Sequence, residues 1–128
     1  MASGGITRLT RLIRALLPQL VAVEGESMAP LLPSGAWVLV RRAPRRLPRL
    51  GQVVVVVHPH RPGFELVKRV GAVSRERRLI WVLGDNRAAS TDSDQFGPLP
   101  AEALRGVAVA RLRPGRPLWL GADPGRLR

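Results

Sequence analysis

The sequence predicts an all-β domain preceded by a short amphipathic helix, and three observations lead to this fold class. Five runs rich in Val, Ile, Leu and Trp are separated by Gly, Pro, Asp and Asn, as in chains of short strands. One run, Val53–Val57, consists of five valines, which is typical of a strand buried on both faces. Helical spacing is confined to the first 23 residues. The 128 residues are enough for one domain.

The N-terminal segment, residues 1–23, is predicted to form an amphipathic helix with arginines on one side. Its apolar residues at helical spacing are Ile6, Leu9, Ile13, Leu16, Leu17 and Leu20. The longest stretch without charge, residues 15–23, is too short for a bilayer, which takes about 20 apolar residues. We therefore expect a cytoplasmic protein without a transmembrane span. Two roles stay open for the helix: contact with an anionic membrane surface through residues 6–20, or packing on its own domain.

The segment from residue 24 to residue 113 is predicted to be the β domain. Its strands are expected at residues 36–40, 53–57, 66–73, 79–83 and 107–112. Between the first two, residues 41–50 carry five arginines and two prolines, which indicates an exposed, stiff loop. Residues 114–128 form a tail rich in Gly and Pro.

Composition limits the function classes. The absence of cysteine excludes disulfides and thiolate catalysis. The net charge of +12 suggests an anionic partner, but aromatic residues make up only 4% and no nucleic-acid-binding signature is present. We therefore favour a solvated arginine-rich surface over specific nucleic-acid binding. His58 and His60 lack a third ligand nearby, so neither a metal nor another cofactor is expected.

Lys68 is the only lysine among 21 basic residues. A lysine can lose its proton when it is buried, whereas arginine stays charged. Alternation along the predicted strand puts Lys68 on the same face as Leu66 and Val70, where an ammonium loses solvation and its pKa falls. An exposed lysine at a sheet edge is the alternative.

Two further segments carry reactive side chains. Ser27 lies in a Gly-Glu-Ser-Met-Ala-Pro stretch that can expose a hydroxyl on a rigid turn, although many such serines are only turn residues. Residues 84–98 form a long polar segment dense in hydroxyls and carboxylates, which is either a solvated connection or the wall of an active site.

Together these segments resemble the signal peptidase I family of serine proteases, whose conserved boxes they match in order. The matching segments are Ser27-Met28-x-Pro30-x-Leu32, Gly51-Gln52-Val53-Val54-Val55, Val67-Lys68-Arg69-Val70, and Gly84-Asp85-Asn86 with Ser90-x-Asp92-Ser93 and Phe96-Gly97. The resemblance covers roughly residues 23 to 112, and an ordered set is far more specific than any one box. It implies a signal-peptidase-like β-barrel or coiled β-sheet as the catalytic core.

The resemblance also implies a mechanism. Ser27 is the expected nucleophile and Lys68 its general base, without histidine. Ser90 would orient the lysine, and the backbone N–H of Ser27 would contribute to the oxyanion hole. The supporting residues implied by the last box are Ser90, Asp92, Asp85 and Asn86. The expected partner is a precursor protein bound as an extended peptide, with small residues before the scissile bond.

Met28, next to the nucleophile, is expected to line the substrate pocket, and packing in the core is the alternative.

The chain departs from the family where Asp94 replaces an arginine that pairs with the aspartate matching Asp92. Acids two residues apart on an extended segment face the same way and repel. We therefore predict that another arginine, nearest in sequence Arg87, pairs with Asp92.

Three hypotheses about the function remain open at this point. The favoured one is a serine endopeptidase that removes an N-terminal leader or signal segment, and the compactness of the chain resembles the nickel-type superoxide dismutase maturation proteases of the family. A second is a self-cleaving repressor-type Ser-Lys protease, which the Gly-Asp-Asn segment argues against. The third is a non-catalytic basic β module that binds nucleic acid or anionic membrane.

Overall fold

The computed structural model describes residues 17–42 and 46–121, and these residues fold into an antiparallel sheet of eight strands. The strands are β1 (Gln19–Ala22), β2 (Trp37–Arg41), β3 (Val53–Val57), β4 (Glu65–Ser74), β5 (Leu79–Leu83), β6 (Leu99–Pro100), β7 (Leu104–Arg113) and β8 (Leu118–Trp119). Their order is β1-β2-β7-β3-β4-β5-β6, with β8 paired to β7. The helical pieces are α1 (Ser93–Phe96) and two 3-10 turns, Arg87–Ala89 and Ala101–Ala103. The prediction of an all-β fold is confirmed.

The sheet is buried on both faces around β3, as the run of valines predicts. Val53 and Val55 belong to one core cluster, whereas Val54 and Val56 belong to another, because successive side chains of a strand point to opposite faces. The first cluster also contains Val23, Met28, Leu32, Ala36, Val38, Val40 and Ala108. The second also contains Val70, Ile80, Val82, Leu99 and Val107.

The N-terminal boundary differs from the prediction. Residues 1–16 lie outside the described residues, so most of the predicted helix is not tested. Residues Gln19–Ala22 form β1 and pair with β2, with Val21 opposite Val38. A helix ending at residue 23 is therefore wrong, since Pro18 disfavours helix interiors and the pairing with β2 favours a strand. No helix of the described ranges is both long and apolar enough to cross a bilayer.

The C-terminal boundary also differs. Leu118–Trp119 forms β8, which pairs with β7, so the sheet extends beyond residue 113 into the predicted tail. Residues 122–128 lie outside the described residues. Strands β3 and β5 have the predicted bounds, and β4 and β7 are longer than predicted. In the segment 41–50, Arg46 and Arg49 are exposed as expected, and residues 43–45 are not described.

Candidate active site

Lys68 lies in the middle of β4, on the face that carries the second core cluster. It is paired with Val54 across the sheet, and Leu66 and Val70 of the same face pack in that cluster, as the alternation predicts. Its residue surface is only 2% exposed. Burial lowers the pKa of Lys68 below its ordinary value, while the negative charge of Asp92 acts in the opposite direction. The structure excludes the exposed-edge alternative for this lysine.

A chain of hydrogen bonds joins Lys68 to the polar segment after β5. Lys68 Nζ donates to Ser90 Oγ at 2.8 Å, and Ser90 Oγ donates to Asp92 Oδ2 at 3.0 Å. Since the hydroxyl proton of Ser90 is directed at the carboxylate, its oxygen is the acceptor for the lysine. This hydrogen bond fixes the direction of one N–H of the amine.

Asp92 is 3% exposed, and backbone donors meet its carboxylate. Gly84 N–H donates to Oδ2 at 3.1 Å, and Asp94 N–H donates to Oδ1 at 3.0 Å. Asp92 is also the N-cap of α1, and Gln95 completes a capping box by accepting from the Asp92 N–H at 2.8 Å. One carboxylate thus begins the helix and holds Ser90.

The expectation that Arg87 pairs with Asp92 is wrong. Arg87 Nη1 lies 3.6 Å from Asp94 Oδ2 at the surface, and both side chains are about half exposed. Asp92 turns inward to its N–H and hydroxyl donors, whereas Asp94 turns outward to solvent. The two acids do not face the same way because Asp92 is a cap residue with extended backbone and Asp94 lies within the helix.

Ser27 lies on a turn that the Gly-Asp-Asn segment holds in place. Asn86 N–H donates to the Ser27 carbonyl at 2.9 Å, and Asn86 Nδ2 donates to the Glu26 carbonyl at 3.1 Å. The turn begins at Gly25, whose φ of +79° lies in the left-handed region. Asn86 therefore positions the serine turn through two bonds to its backbone.

Gly84 lies between the serine turn and Ser90, the hydrogen-bond partner of Lys68. A methyl group in place of its hydrogen would overlap Ser90 Oγ and lie 2.8 Å from the Ser27 carbonyl oxygen. Ser90 Oγ and the Ser27 carbonyl oxygen therefore both lie next to the backbone of Gly84. In the described part of the chain, Ser27 Oγ makes no hydrogen bond with Lys68, and bonds of this kind are often long in structures without substrate.

Arg69 is a supporting residue that the sequence analysis missed. It points to the face opposite Lys68, is 1% exposed, and forms a bidentate pair with Asp85 through Nε at 2.7 Å and Nη2 at 2.9 Å. Its Nη1 donates to the Gly51 carbonyl at 2.8 Å. The sequence signal is the arginine next to Lys68: if the lysine face of the strand is buried and the neighbouring face is buried too, the arginine needs an acidic partner. Asp85 thus ties β4 to the Gly-Asp-Asn segment.

Met28 is fully buried in the first core cluster, and its Sδ accepts from Asp85 N–H at 3.5 Å. This corresponds to the core-packing alternative, because no surface of Met28 reaches solvent.

A cleft of about 240 Å³ lies next to Ser27. Its walls come from β1, from Val55 of β3 and from the start of β4, and they are largely aliphatic. Phe64 and two carboxylates, Glu24 and Glu65, complete the lining.

Metal-binding side chains are not grouped in the described ranges, where no set of three or more His, Cys, Asp or Glu could hold an ion. His60 N–H donates to His58 Nδ1 at 3.0 Å, which occupies one of the ring nitrogens.

Comparisons with known proteins show the family to which the chain is related. The chain matches the family described as signal peptidase, peptidase S26, over residues 4–77 and 76–113. It is 31% identical over 115 residues to mitochondrial ATP-independent inner membrane protease subunit 1a of Arabidopsis thaliana, with 72% of this chain and 68% of that protein covered. It is 30% identical over 128 residues to mitochondrial inner membrane protease subunit 1 of Schizosaccharomyces pombe, with 84% and 81% covered. These matches favour a peptidase over a non-catalytic basic module.

Proposed function

Because the chain belongs to the signal peptidase family, peptidase S26, and is a serine-type peptidase, we propose that it cleaves an N-terminal leader or signal segment from a precursor protein through Ser27 and Lys68. The observation that carries the proposal is the hydrogen-bonded chain Lys68–Ser90–Asp92, in which Lys68 and Asp92 are buried. Burial lowers the pKa of Lys68, so its neutral amine forms at lower pH than that of an exposed lysine.

The proposed reaction begins when Ser27 Oγ attacks the scissile carbonyl and its proton passes to the neutral amine of Lys68. The resulting ammonium then gives a proton to the leaving amine, and the acyl group stays on Ser27. In the second half, Lys68 takes a proton from a water molecule that attacks the ester, and returns a proton to Ser27 Oγ as the acid leaves. Lys68 is neutral again at the end of the cycle.

The charge on the attacked oxygen needs a donor close to Ser27. The backbone N–H of Ser27 makes no hydrogen bond within the described ranges, so it is available for this purpose. Asn86 holds the carbonyl side of the same residue, which fixes the direction of the serine turn. One such donor is worth about 2.7 to 4 kcal/mol of the barrier. Position 25, two residues before the serine, is glycine and supplies no hydroxyl.

The substrate is proposed to be an extended segment that enters the cleft beside Ser27. The side of β1 away from β2 has no strand partner among the described residues, so its backbone can pair with a peptide. Small side chains before the scissile bond suit the narrow aliphatic walls.

The finer identity of the precursor is a further step of the proposal. The proposed precursor is a nickel-type superoxide dismutase that matures in the cytoplasm, and this choice rests on the compactness of the chain. Peripheral membrane contact through residues 6–20 is proposed from the amphipathic pattern of those residues. The relatives are named as mitochondrial inner membrane proteases, which favours action at a membrane for those proteins. Incubation with candidate precursors, with the new N-terminus read by mass spectrometry, distinguishes these substrates.

The central test replaces the two reacting groups one at a time. Ser27→Ala removes the nucleophile, and Lys68→Arg keeps a positive charge that cannot act as a base, so both should reduce kcat/KM by about 1000-fold or more. Cleavage of a leader-containing precursor, followed by mass spectrometry, measures the effect. Ser74→Ala is the matched control, because this hydroxyl lies at the end of β4, outside the cleft lining, and accepts from Arg77 N–H. Near-normal cleavage by either site variant contradicts the proposal.

A further inference from the structure

A second groove, of about 840 Å³, lies between the end of β4, the β4–β5 turn and the segment before β3. We call it the arginine groove. Its floor is apolar and is formed by Leu47, Leu50, Ala72 and Val73. Leu50 is 44% exposed, so part of this floor is open to solvent. The groove shares no lining residue with the cleft beside Ser27.

The rim of the arginine groove is positively charged. Four exposed arginines contribute to it: Arg46, Arg49, Arg75 and Arg78. The lining contains no carboxylate, and none of the four forms an ion pair within the described part of the chain. A partner that covers this surface must therefore bring negative charge.

The groove also runs along an unpaired strand edge. The last contact between β4 and the chain before β3 is at Val70, which exchanges hydrogen bonds with Gly51 and Gln52. Beyond it, residues 72–74 of β4 pair only with β5 among the described strands. The opposite edge of this portion of β4 faces the groove with backbone groups that can accept another strand.

The conformation of the β4–β5 turn adds a second observation. Arg78 has a φ of +52°, and it is the only residue of the described ranges other than glycine with a positive φ. Glycine adopts this conformation without the steric cost that a larger side chain incurs. The turn therefore places an arginine, and not a glycine, at the position with positive φ.

We propose that the arginine groove binds an extended acidic segment of a partner protein, which adds as a strand to the open edge of β4 and sets its carboxylates against the four arginines. A concave groove with an apolar floor admits a single chain, whereas a flat bilayer would contact only the rim. The alternating side chains of an added strand would meet the floor and the arginines in turn. This site acts independently of the peptidase reaction.

The test uses a fluorescein-labelled peptide of about eight residues, an ordinary strand length, that alternates glutamate with valine. Its binding to the full chain carrying Ser27→Ala, which cannot cleave the probe, is followed by fluorescence anisotropy. The double substitution Arg75→Gln and Arg78→Gly should weaken binding by about fivefold or more, from two lost ion pairs. Arg78→Gly relieves the turn, so thermal unfolding should show an intact fold.

The matched control removes two charges elsewhere, with Arg113→Gln and Arg116→Gln, which lie outside the groove lining. We expect these changes to alter the affinity less than about twofold. An equal loss in both double variants would mean attraction by net charge alone and would overturn the proposal.

Two further probes test the mode of binding. A peptide with alternate backbone nitrogens methylated keeps its carboxylates but loses strand pairing, so it should bind more weakly than the parent peptide. Equal binding of the two peptides overturns the added strand. Vesicles of phosphatidylglycerol are the other probe: binding to vesicles that depends on Arg75 and Arg78, with no peptide binding, overturns the choice of an acidic protein segment.

Discussion

At the scale of single residues, Lys68 is subject to two opposing influences. Its place in β4 removes it from water, and this desolvation is the larger effect and favours the neutral amine. Asp92 favours the ammonium, but the Ser90 hydroxyl lies between the carboxylate and the amine and links them by hydrogen bonds. The balance lowers the pKa of Lys68 while a hydrogen bond keeps its amine in position. Under the proposed mechanism, the pH dependence of cleavage reports this balance.

We expect kcat/KM to rise with pH through the pKa of Lys68, because the neutral amine is the active base. Asp92→Asn should move the midpoint of this profile to lower pH, since Asp92 raises the pKa of Lys68 and asparagine keeps an N-cap oxygen. Rates of precursor cleavage at a series of pH values measure the midpoint. Asp94→Asn is the control, and its exposed charge should leave the midpoint in place. A midpoint that Asp92→Asn does not move argues against this coupling.

At the scale of elements, the site is a junction of three pieces. β4 supplies Lys68 to one face and Arg69 to the other. The polar segment after β5 contacts both side chains: Asp85 pairs with Arg69, and Ser90 accepts a hydrogen bond from Lys68. Asn86 then connects the same segment to the serine turn. Breaking one of these connections should affect more than the residue that is replaced.

Arg69→Met should lower the free energy of unfolding by about 3 to 5 kcal/mol, because it leaves Asp85 buried without its charged partner. Urea denaturation measures this loss, and Arg77→Met, at an exposed position of the β4–β5 turn, serves as the control. The double variant Arg69→Met with Asp85→Leu should recover much of the stability, since no buried charge is then left alone. No recovery in the double variant would show that packing, and not charge, dominates at Arg69.

Parts of this junction are readable from the sequence because they depend on local patterns. The burial of both faces of β3 follows from its unbroken run of valines, and the position of Lys68 on an apolar face follows from alternation along β4. The cap of α1 also has a sequence signal, because Asp92 and Gln95 have the spacing of a capping box. The partners of Asp92 are N–H and hydroxyl donors and not the predicted arginine. Backbone donors such as Gly84 N–H arise only from the folded geometry.

β1 shows why pattern reasoning fails at the N-terminal boundary. Leu20 fits a helical stripe with the residues before it, yet in the fold it lies opposite Leu39 of β2. A four-residue strand is too short for its alternation to stand out from helical spacing. Its pairing with a strand far along the chain determines its structure, and a local pattern does not contain that information.

At the scale of the whole molecule, the net charge of +12 lies on the surface, because the buried bases Lys68 and Arg69 balance the buried acids Asp85 and Asp92. Of the nine acidic residues, Asp92 is buried and Asp85 is held in the pair with Arg69. Neither of them offsets the arginines at the surface. The buried charges therefore govern stability, while the exposed arginines govern which partners approach.

The buried lysine also makes stability depend on pH. The pKa of Lys68 is lower in the folded chain than in the unfolded chain, where it is about 10.4. Between these two values the unfolded state binds a proton that the folded state does not, so the free energy of unfolding falls as pH falls through this window. Lys68→Met removes this dependence. Its stability relative to the unmodified chain should therefore increase as pH is lowered through the window, as measured by urea denaturation. A constant difference would contradict a lowered pKa.

The presence of one lysine in the entire chain has a spectroscopic consequence. Biosynthetic incorporation of lysine labelled with nitrogen-15 at Nζ would introduce a single side-chain amine signal, and its assignment would need no mutagenesis. The chemical shift of that nucleus, followed during a pH titration, reports protonation of the amine at rest, with no substrate and no turnover. Because Ser90 accepts from this nitrogen, the same signal would also register any inhibitor that displaces the amine from the hydroxyl.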